Sequence, residues 1–149
     1  MSGLFEILNE KKLKLAAVES ITGGSFAAHI TKIPGASKVF LGSLVTYDTN
    51  IKHKTLNINV DQGVINQATA TAMATSGQKF FGSDVCIGFT GNAGPDPVEN
   101  KPVGLTYLAI LYKDKLFEFS FQSSKVTREA IIEDTVIFGI KKILDILES

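Results

Sequence analysis

The stretch Lys14–Ile30, KLAAVESITGGSFAAHI, decides the fold that we predict for this chain. Its apolar start, 15–18, has the length of a buried strand, and its second half, from Ser25, has the composition of a helix. The turn Thr22-Gly23-Gly24 lies between them, and Ser20 stands at the end of the strand. The N–H groups in the first turn of a helix suit an anion or a developing oxyanion. A plain strand-to-helix turn with Thr22 as N-cap is the alternative, and this stretch alone leaves both open.

Length and composition restrict the number of domains and the classes of partner that we expect. The chain has 149 residues, of which 44% are apolar, so we expect a single packed domain over 1–149. Fifteen basic residues balance fifteen acidic ones, which argues against nucleic-acid binding through a broad basic face. No apolar run reaches the roughly 18 residues that a membrane-spanning helix needs, so we expect no membrane partner.

The cysteine and histidine content indicates the compartment and argues against a metal. Cys86 has no partner cysteine and lies in an apolar run, so we expect a buried thiol in a cytoplasmic protein. The lysines near the N-terminus follow its apolar residues, which is the reverse of a secretory signal. His29 and His53 have no Cys or carboxylate at ligand spacing, so we predict no metal site.

Predicted helices and strands alternate along the chain, apart from one hairpin near the C-terminal end. We expect a short helix at 51–53, with Asp48, Thr49 and Asn50 as candidate N-caps. We expect longer helices at 2–12, 25–31, 67–81 and 127–147, with Asn66 and Thr127 as caps of the last two. Predicted strands cover 15–18, 39–47, 84–89, 104–112 and 115–122. This order predicts an α/β fold, a single three-layer domain in which a mixed β-sheet carries helices on both faces.

Polar residues follow three of the predicted strands. These are Glu19-Ser20, Thr46-Tyr47 and Thr90-Gly91. Ligands of open α/β sheets bind outside the C-terminal ends of the strands, so we expect all three pairs to face one crevice.

Ser20 is a candidate nucleophile if a nearby base removes its proton. Lys52 is the better candidate base, because partial desolvation lowers the pKa of a lysine and serine–lysine pairs replace the usual triad in some enzymes. Tyr47 could orient Lys52 or relay a proton. The alternatives are ordinary: most lysines are solvated, and a tyrosine at a strand end is usually at the edge of the core. An arginine such as Arg128 is also usually solvated. A cation is poorly placed in the first turn of a helix, however, and this misfit favours a functional role such as an anion contact.

Together these stretches resemble the CinA C-terminal family, the nicotinamide-nucleotide amidases. The resemblance runs in one order over nearly the whole chain, and its segments are Val18–Gly24, Pro34–Ser37, Val45–Tyr47 with Lys52, Gly91–Pro95, Lys101–Gly104 and Arg128.

The resemblance implies hydrolysis of nicotinamide mononucleotide to nicotinic acid mononucleotide and ammonia, in pyridine-nucleotide salvage. It implies that Ser20 is the nucleophile and Lys52 its base, with Tyr47 beside them. It implies no cofactor and a homodimer or higher homo-oligomer. The substrate-binding residues that we predict are Glu19, Thr22, Gly23, Gly24, Thr46, Thr90, Gly91, Ala93, Gly94 and Arg128, the last contacting phosphate or ribose.

The chain departs from the family pattern mainly in the substrate half of the site. Ile21 replaces a cysteine, and the segment 96–100 is one residue shorter than usual and lacks its glycines. Val126-Thr127 replaces glycine-aspartate, and Ile132 replaces a second arginine. If that arginine holds the phosphate, its loss costs about 1.5–3 kcal/mol of binding free energy.

These departures leave two other functions open. One is a non-catalytic nucleotide-binding or regulatory module, motivated by Ile132 and the missing glycines. The other, suggested by the family's name, is a partner in competence or damage response, against which the zero net charge argues.

Overall fold

The computed structural model describes residues 2–149. Within these residues it contains five α-helices, one short 3₁₀ helix and five strands. The helices are α1 (Ser2–Glu10), α2 (Ser25–Thr31), α3 (Thr49–Leu56), α4 (Gln67–Phe81) and α5 (Arg128–Glu148). The strands are β1 (Leu15–Glu19), β2 (Phe40–Val45), β3 (Val85–Gly91), β4 (Leu105–Tyr112) and β5 (Lys115–Gln122), and Ala36–Lys38 forms the 3₁₀ turn.

The five strands form one mixed sheet in the order β2-β1-β3-β4-β5. β1 pairs in parallel with β2 and β3, whereas β3, β4 and β5 pair antiparallel. The chain leaves β1 for β2 on one side and returns past β1 to β3 on the other. The strand order therefore reverses at β1, which creates a crevice beyond its C-terminal end.

Helices cover both faces of this sheet, so β1 is buried along its whole length. Leu15 and Ala17 belong to the core cluster formed with α1, α2 and α5. The alternate residues Ala16 and Val18 pack with Met73 of α4 on the opposite face. This arrangement confirms the predicted three-layer α/β fold, and it explains the continuous apolar run in β1, because both faces are covered.

Three helix starts match the caps expected from the sequence. The side chains of Asp48, Asn66 and Thr127 accept hydrogen bonds from the backbone N–H groups of Asn50, Thr69 and Ala130. Each bond satisfies an N–H group that has no partner within its helix.

The start of α2 differs from the alternative in which Thr22 is its N-cap. The N-cap position is Gly24, whose backbone is left-handed (φ 101°), and it makes no side-chain capping bond. Glycine tolerates this conformation because it has no Cβ. The N–H groups of this helix are satisfied by a residue of the preceding strand, described below.

Candidate active site

A cavity of about 360 Å³ opens at the C-terminal ends of the three parallel strands. Ser20, Tyr47, Thr90 and Gly91 line it, each at or just beyond the end of its strand. The sheet thus brings to one crevice residues that are as many as 71 positions apart. The other lining residues are Ile21, Thr49, Lys52, Val64, Ile65, Asn92, Ala93, Gly94, Pro95, Asp96, Val98, Glu99 and Arg128.

Lys52 reaches Ser20 from the first half of α3. Its Nζ lies 2.9 Å from the Oγ of Ser20 and donates to the carbonyl oxygens of Thr46 (2.7 Å) and Tyr47 (3.2 Å). An ammonium has three protons, and a neutral amine has two protons and one lone pair. With the two carbonyls holding two protons, the third position of the amine faces Ser20, either as a donor or as a lone pair that can accept the hydroxyl proton.

Burial changes the acidity of Lys52. The side chain is 1% exposed, and loss of hydration lowers the pKa of Lys52 from 10.5 to about 8. The negative charges of Asp48 and Glu99 oppose this shift, because they stabilise the ammonium. At pH 7 roughly a tenth of the molecules therefore hold Lys52 as the neutral amine, a far larger fraction than for a solvated lysine.

Tyr47 and Arg128 meet at the mouth of the cavity. The Nη2 of Arg128 donates to the phenolic oxygen of Tyr47 at 2.7 Å, and its Nη1 donates to the carbonyl oxygen of Gly94. Tyr47 itself is 57% exposed. Arg128 therefore joins the start of α5 to the end of β2 and to the loop after β3.

The loop after β3, residues 92–101, is organised by Asn92. Its side-chain amide donates to the carbonyl oxygens of Asp96 and Lys101, and its Oδ1 accepts from the N–H of Gly94. Glu99 holds the same loop from the other end, through N–H bonds from Val64 and Ile65. Side-chain hydrogen bonds thus shape a segment in which the family pattern has glycines.

The first turn of α2 is not available to an anion, contrary to the expectation from the sequence. Oε1 of Glu19 accepts from the N–H groups of Gly24 (3.1 Å) and Phe26 (2.9 Å), and Oε2 accepts from that of Ala27 (3.1 Å). The hydroxyls of Thr22 and Ser43 donate to the same carboxylate. Glu19 is fully buried, and it occupies the place where we expected a ligand.

The structure places five of the ten predicted substrate-binding residues in the cavity wall and five outside it. Thr90, Gly91, Ala93, Gly94 and Arg128 line the cavity, as do Ser20, Tyr47 and Lys52. Five others lie outside its wall: Glu19, Thr22, Gly23, Gly24 and Thr46. Of these five, Glu19 accepts N–H groups at the start of α2 and Thr22 donates to Glu19, while Thr46 contributes a carbonyl oxygen that holds Lys52.

Several lining residues were not predicted from the sequence. Val64 and Ile65 come from the turn before α4, and Thr90 Oγ1 donates to the carbonyl oxygen of Val64 at 2.6 Å. Glu99 lies in a segment that we noted only for its missing glycines. A carboxylate between two segments that match the family pattern, Gly91–Pro95 and Lys101–Gly104, was the available signal for Glu99, whereas nothing local distinguishes Val64.

Ile132 lies away from this cavity. It lines a second, smaller cavity between α2 and α5, together with Ser25, His29 and Glu129. The change from arginine at this position therefore alters the neighbouring surface and leaves the wall of the main cavity intact.

The described part of the chain contains no helix long and apolar enough to span a membrane. Among the same residues, no group of three or more His, Cys, Asp or Glu is placed to hold a metal ion.

Comparison with known sequences identifies relatives over the whole chain. The family model of the CinA C-terminal domain matches residues 2–147. A competence-damage inducible protein of Halalkalibacterium halodurans is 38% identical over 97% of this chain and 36% of its own length. One from Limosilactobacillus fermentum is 41% identical over 78% of this chain and 29% of its own length. The chain thus spans about a third of the length of these relatives.

Solved structures of the same superfamily share the fold. A CinA superfamily protein of Klebsiella pneumoniae superposes with a TM-score of 0.94 at 21% identity, covering 99% of this chain and 94% of that one. The competence/damage inducible protein CihA of Agrobacterium tumefaciens superposes with a TM-score of 0.89 at 25% identity, covering 100% of this chain and 98% of that one. By sequence and by fold, this chain belongs to the CinA C-terminal domain family.

Proposed function

We propose that this chain is an amidohydrolase that converts nicotinamide mononucleotide to nicotinic acid mononucleotide and ammonia. The observation that carries the proposal is the contact between the buried Nζ of Lys52 and the Oγ of Ser20 at 2.9 Å. A buried lysine with a lowered pKa beside a serine hydroxyl matches the needs of nucleophilic catalysis.

In the first half of the proposed reaction, neutral Lys52 takes the proton of Ser20 while Oγ attacks the carboxamide carbon. The carbon–nitrogen bond then breaks. Lys52 passes the proton to the departing nitrogen, which leaves as ammonia, and an ester joins Oγ to the nicotinoyl group. The two carbonyls that hold Lys52 direct the third position of its nitrogen at Ser20, first as a lone pair that accepts the proton and then as the N–H that returns it.

In the second half, Lys52 removes a proton from water, which attacks the ester carbon. The bond to Oγ breaks, Ser20 takes the proton back from Lys52, and the nicotinic acid product leaves as its carboxylate after it loses its own proton to solvent. Arg128, at the mouth of the cavity, has N–H groups beyond those bound to Tyr47 and Gly94. We assign those groups to the substrate phosphate, because a guanidinium matches phosphate geometry.

Ammonia release from nicotinamide mononucleotide tests this proposal. We expect Ser20→Ala and Lys52→Met to lower the rate by roughly a thousandfold or more. Ser120→Ala on the exposed face of β5 and Lys54→Met on the exposed face of α3 are matched controls that should retain full activity. Thermal unfolding of each variant separates lost chemistry from lost fold. Activity in folded Ser20→Ala would remove Ser20 from the mechanism.

A second candidate is a module that binds nucleotide without hydrolysing it. The observation that favours it is the loop 92–101, which forms part of the cavity wall without the glycines of the family pattern and is held by the side chains of Asn92 and Glu99. A changed wall can keep a nucleotide bound and still misplace its carboxamide relative to Ser20. A rise in melting temperature with nicotinamide mononucleotide, without ammonia release, would support this candidate.

A further inference from the structure

The carboxylate of Glu99 joins two segments that both line the cavity, the loop 92–101 and the turn before α4. Its Oε1 and Oε2 accept the N–H of Val64 at 3.1 and 3.0 Å, and Oε1 also accepts the N–H of Ile65 at 3.0 Å. Neither N–H belongs to a helix or a strand. The loop 92–101 is therefore tied to the turn before α4 through a single side chain.

The surrounding backbone is adapted to this contact. Glu99 and Asn100 both have left-handed φ angles, 53° and 58°. Two such residues in sequence without a glycine cost about 1 kcal/mol or more each, so other contacts must hold them. Gly63 also has a positive φ (84°), and a Cβ at this position would lie 2.6 Å from the Oε1 of Glu99. Glycine at position 63 is thus required for the carboxylate to approach the turn.

The turn that receives Glu99 is itself fixed to the sheet. The carbonyl oxygen of Val64 accepts from the hydroxyl of Thr90 at the end of β3. Asn66, two residues after Val64, caps α4. A rigid anchor on one side makes the bonds to Glu99 a restraint on the loop.

We propose that Glu99 is a positioning residue of this site, whose carboxylate holds the loop 92–101 over Ser20 and Lys52 and places a negative charge in the cavity beside the lysine. This deepens the proposed amidase function and rests on it for its catalytic meaning. Arg128 contributes in the same direction, since it binds the carbonyl oxygen of Gly94 in the same loop.

The charge of Glu99 acts on Lys52 together with that of other groups. The ionisable groups that line the cavity or cap α3 are Tyr47, Asp48, Asp96, Glu99 and Arg128. Asp48 and Glu99 both favour the ammonium form of Lys52. Removal of the charge of Glu99 therefore lowers the pH at which Lys52 loses its proton, and removal of its whole carboxylate also frees the loop.

Two variants separate these effects without any need for turnover. Glu99→Gln removes the charge, and NMR of an isotope-labelled lysine Cε, assigned with Lys52→Arg, should show the Lys52 titration shifted to lower pH. Glu99→Ala removes the acceptor, and hydrogen exchange of the Val64 and Ile65 amides should become about tenfold faster. Glu118→Gln and Glu118→Ala are matched controls, because Glu118 bonds only to Thr71 on the exposed surface, and neither readout should change.

Exchange unchanged in Glu99→Ala, or a Lys52 titration unchanged in Glu99→Gln, would overturn the proposal. The kinetic counterpart is a downward shift of the rising limb of kcat/KM in Glu99→Gln, equal to the NMR shift. If the wild-type protein releases no ammonia, the amidase function fails while the NMR and exchange measurements still decide the role of Glu99.

Discussion

The Nζ of Lys52 and the Oγ of Ser20 lie 2.9 Å apart across 32 residues of sequence. Ser20 follows β1, and Lys52 lies on the helix that follows β2, so the parallel pairing of these two strands creates the contact. Because the lysine is buried, its protonation depends on pH within the range in which the protein can be assayed.

The pH dependence of the amidase rate should follow Lys52. The amine acts as a base only when it is neutral, and the pKa of Lys52 is lowered to about 8. We therefore expect kcat/KM to rise about tenfold per pH unit below this value and to level off above it. Rates from about pH 6 to about pH 10 check this. A profile that is flat across this range would exclude Lys52 as the base.

Stability should also depend on the Lys52 charge. The pKa of Lys52 is about 8 when folded and 10.5 when unfolded, so between these values the unfolded chain binds more protons. Stability therefore rises with pH across this window, and below it the buried ammonium costs about 3 kcal/mol relative to a solvated lysine.

Lys52→Met removes this titration. The free energy of unfolding of the wild type, minus that of Lys52→Met, should increase by about 3 kcal/mol between pH 7 and about pH 10.5. Urea unfolding at several pH values measures the difference. Lys54→Met, on the exposed side of α3, should show no such trend, and a trend as large as that of Lys52→Met would mean that the burial of Lys52 is not its cause.

Glu19→Gln should destabilise the fold by roughly 2–4 kcal/mol, because the carboxylate accepts several bonds from the first turn of α2. The NH₂ group of glutamine would face either these N–H donors or the hydroxyl of Ser43. Urea unfolding compares this variant with Glu118→Gln, in which the free energy of unfolding should fall by less than about 0.5 kcal/mol. Equal effects in both variants would contradict the capping role of Glu19.

Cys86 should react slowly with thiol reagents in the folded protein. The thiol is fully buried between β1 and α4, and burial raises the pKa of Cys86 to about 12. The reactive thiolate is therefore scarce at neutral pH. A disulfide reagent should label Cys86 of the folded protein at a rate set by unfolding. In denaturant the labelling should be as fast as that of an exposed thiol. Rapid labelling under native conditions would show that the α4 layer opens readily.

The sequence by itself determined the order of the elements and most of their ends. The apolar run in β1, the caps Asp48, Asn66 and Thr127, and the strand Lys115–Gln122 are all found as expected. These features depend on periodicity and on hydrogen bonds within a few residues, which a local stretch of chain specifies. The parallel ends of β1, β2 and β3 followed from that order, and with them the place of the cavity.

The tertiary structure decided which side chains reach the cavity at the ends of β1, β2 and β3. Glu19 and Ser20 are adjacent in sequence, but the pleat of β1 and the turn after it direct Glu19 to the start of α2 and leave Ser20 facing the cavity. Glu99 joins the site through the N–H groups of a turn 34 and 35 residues away. Such contacts depend on the relative position of whole elements, which is set by packing of the core on both faces of the sheet. No local pattern in the chain encodes them, so the roles of Glu19 and Glu99 follow only from the position of the sheet and its helices.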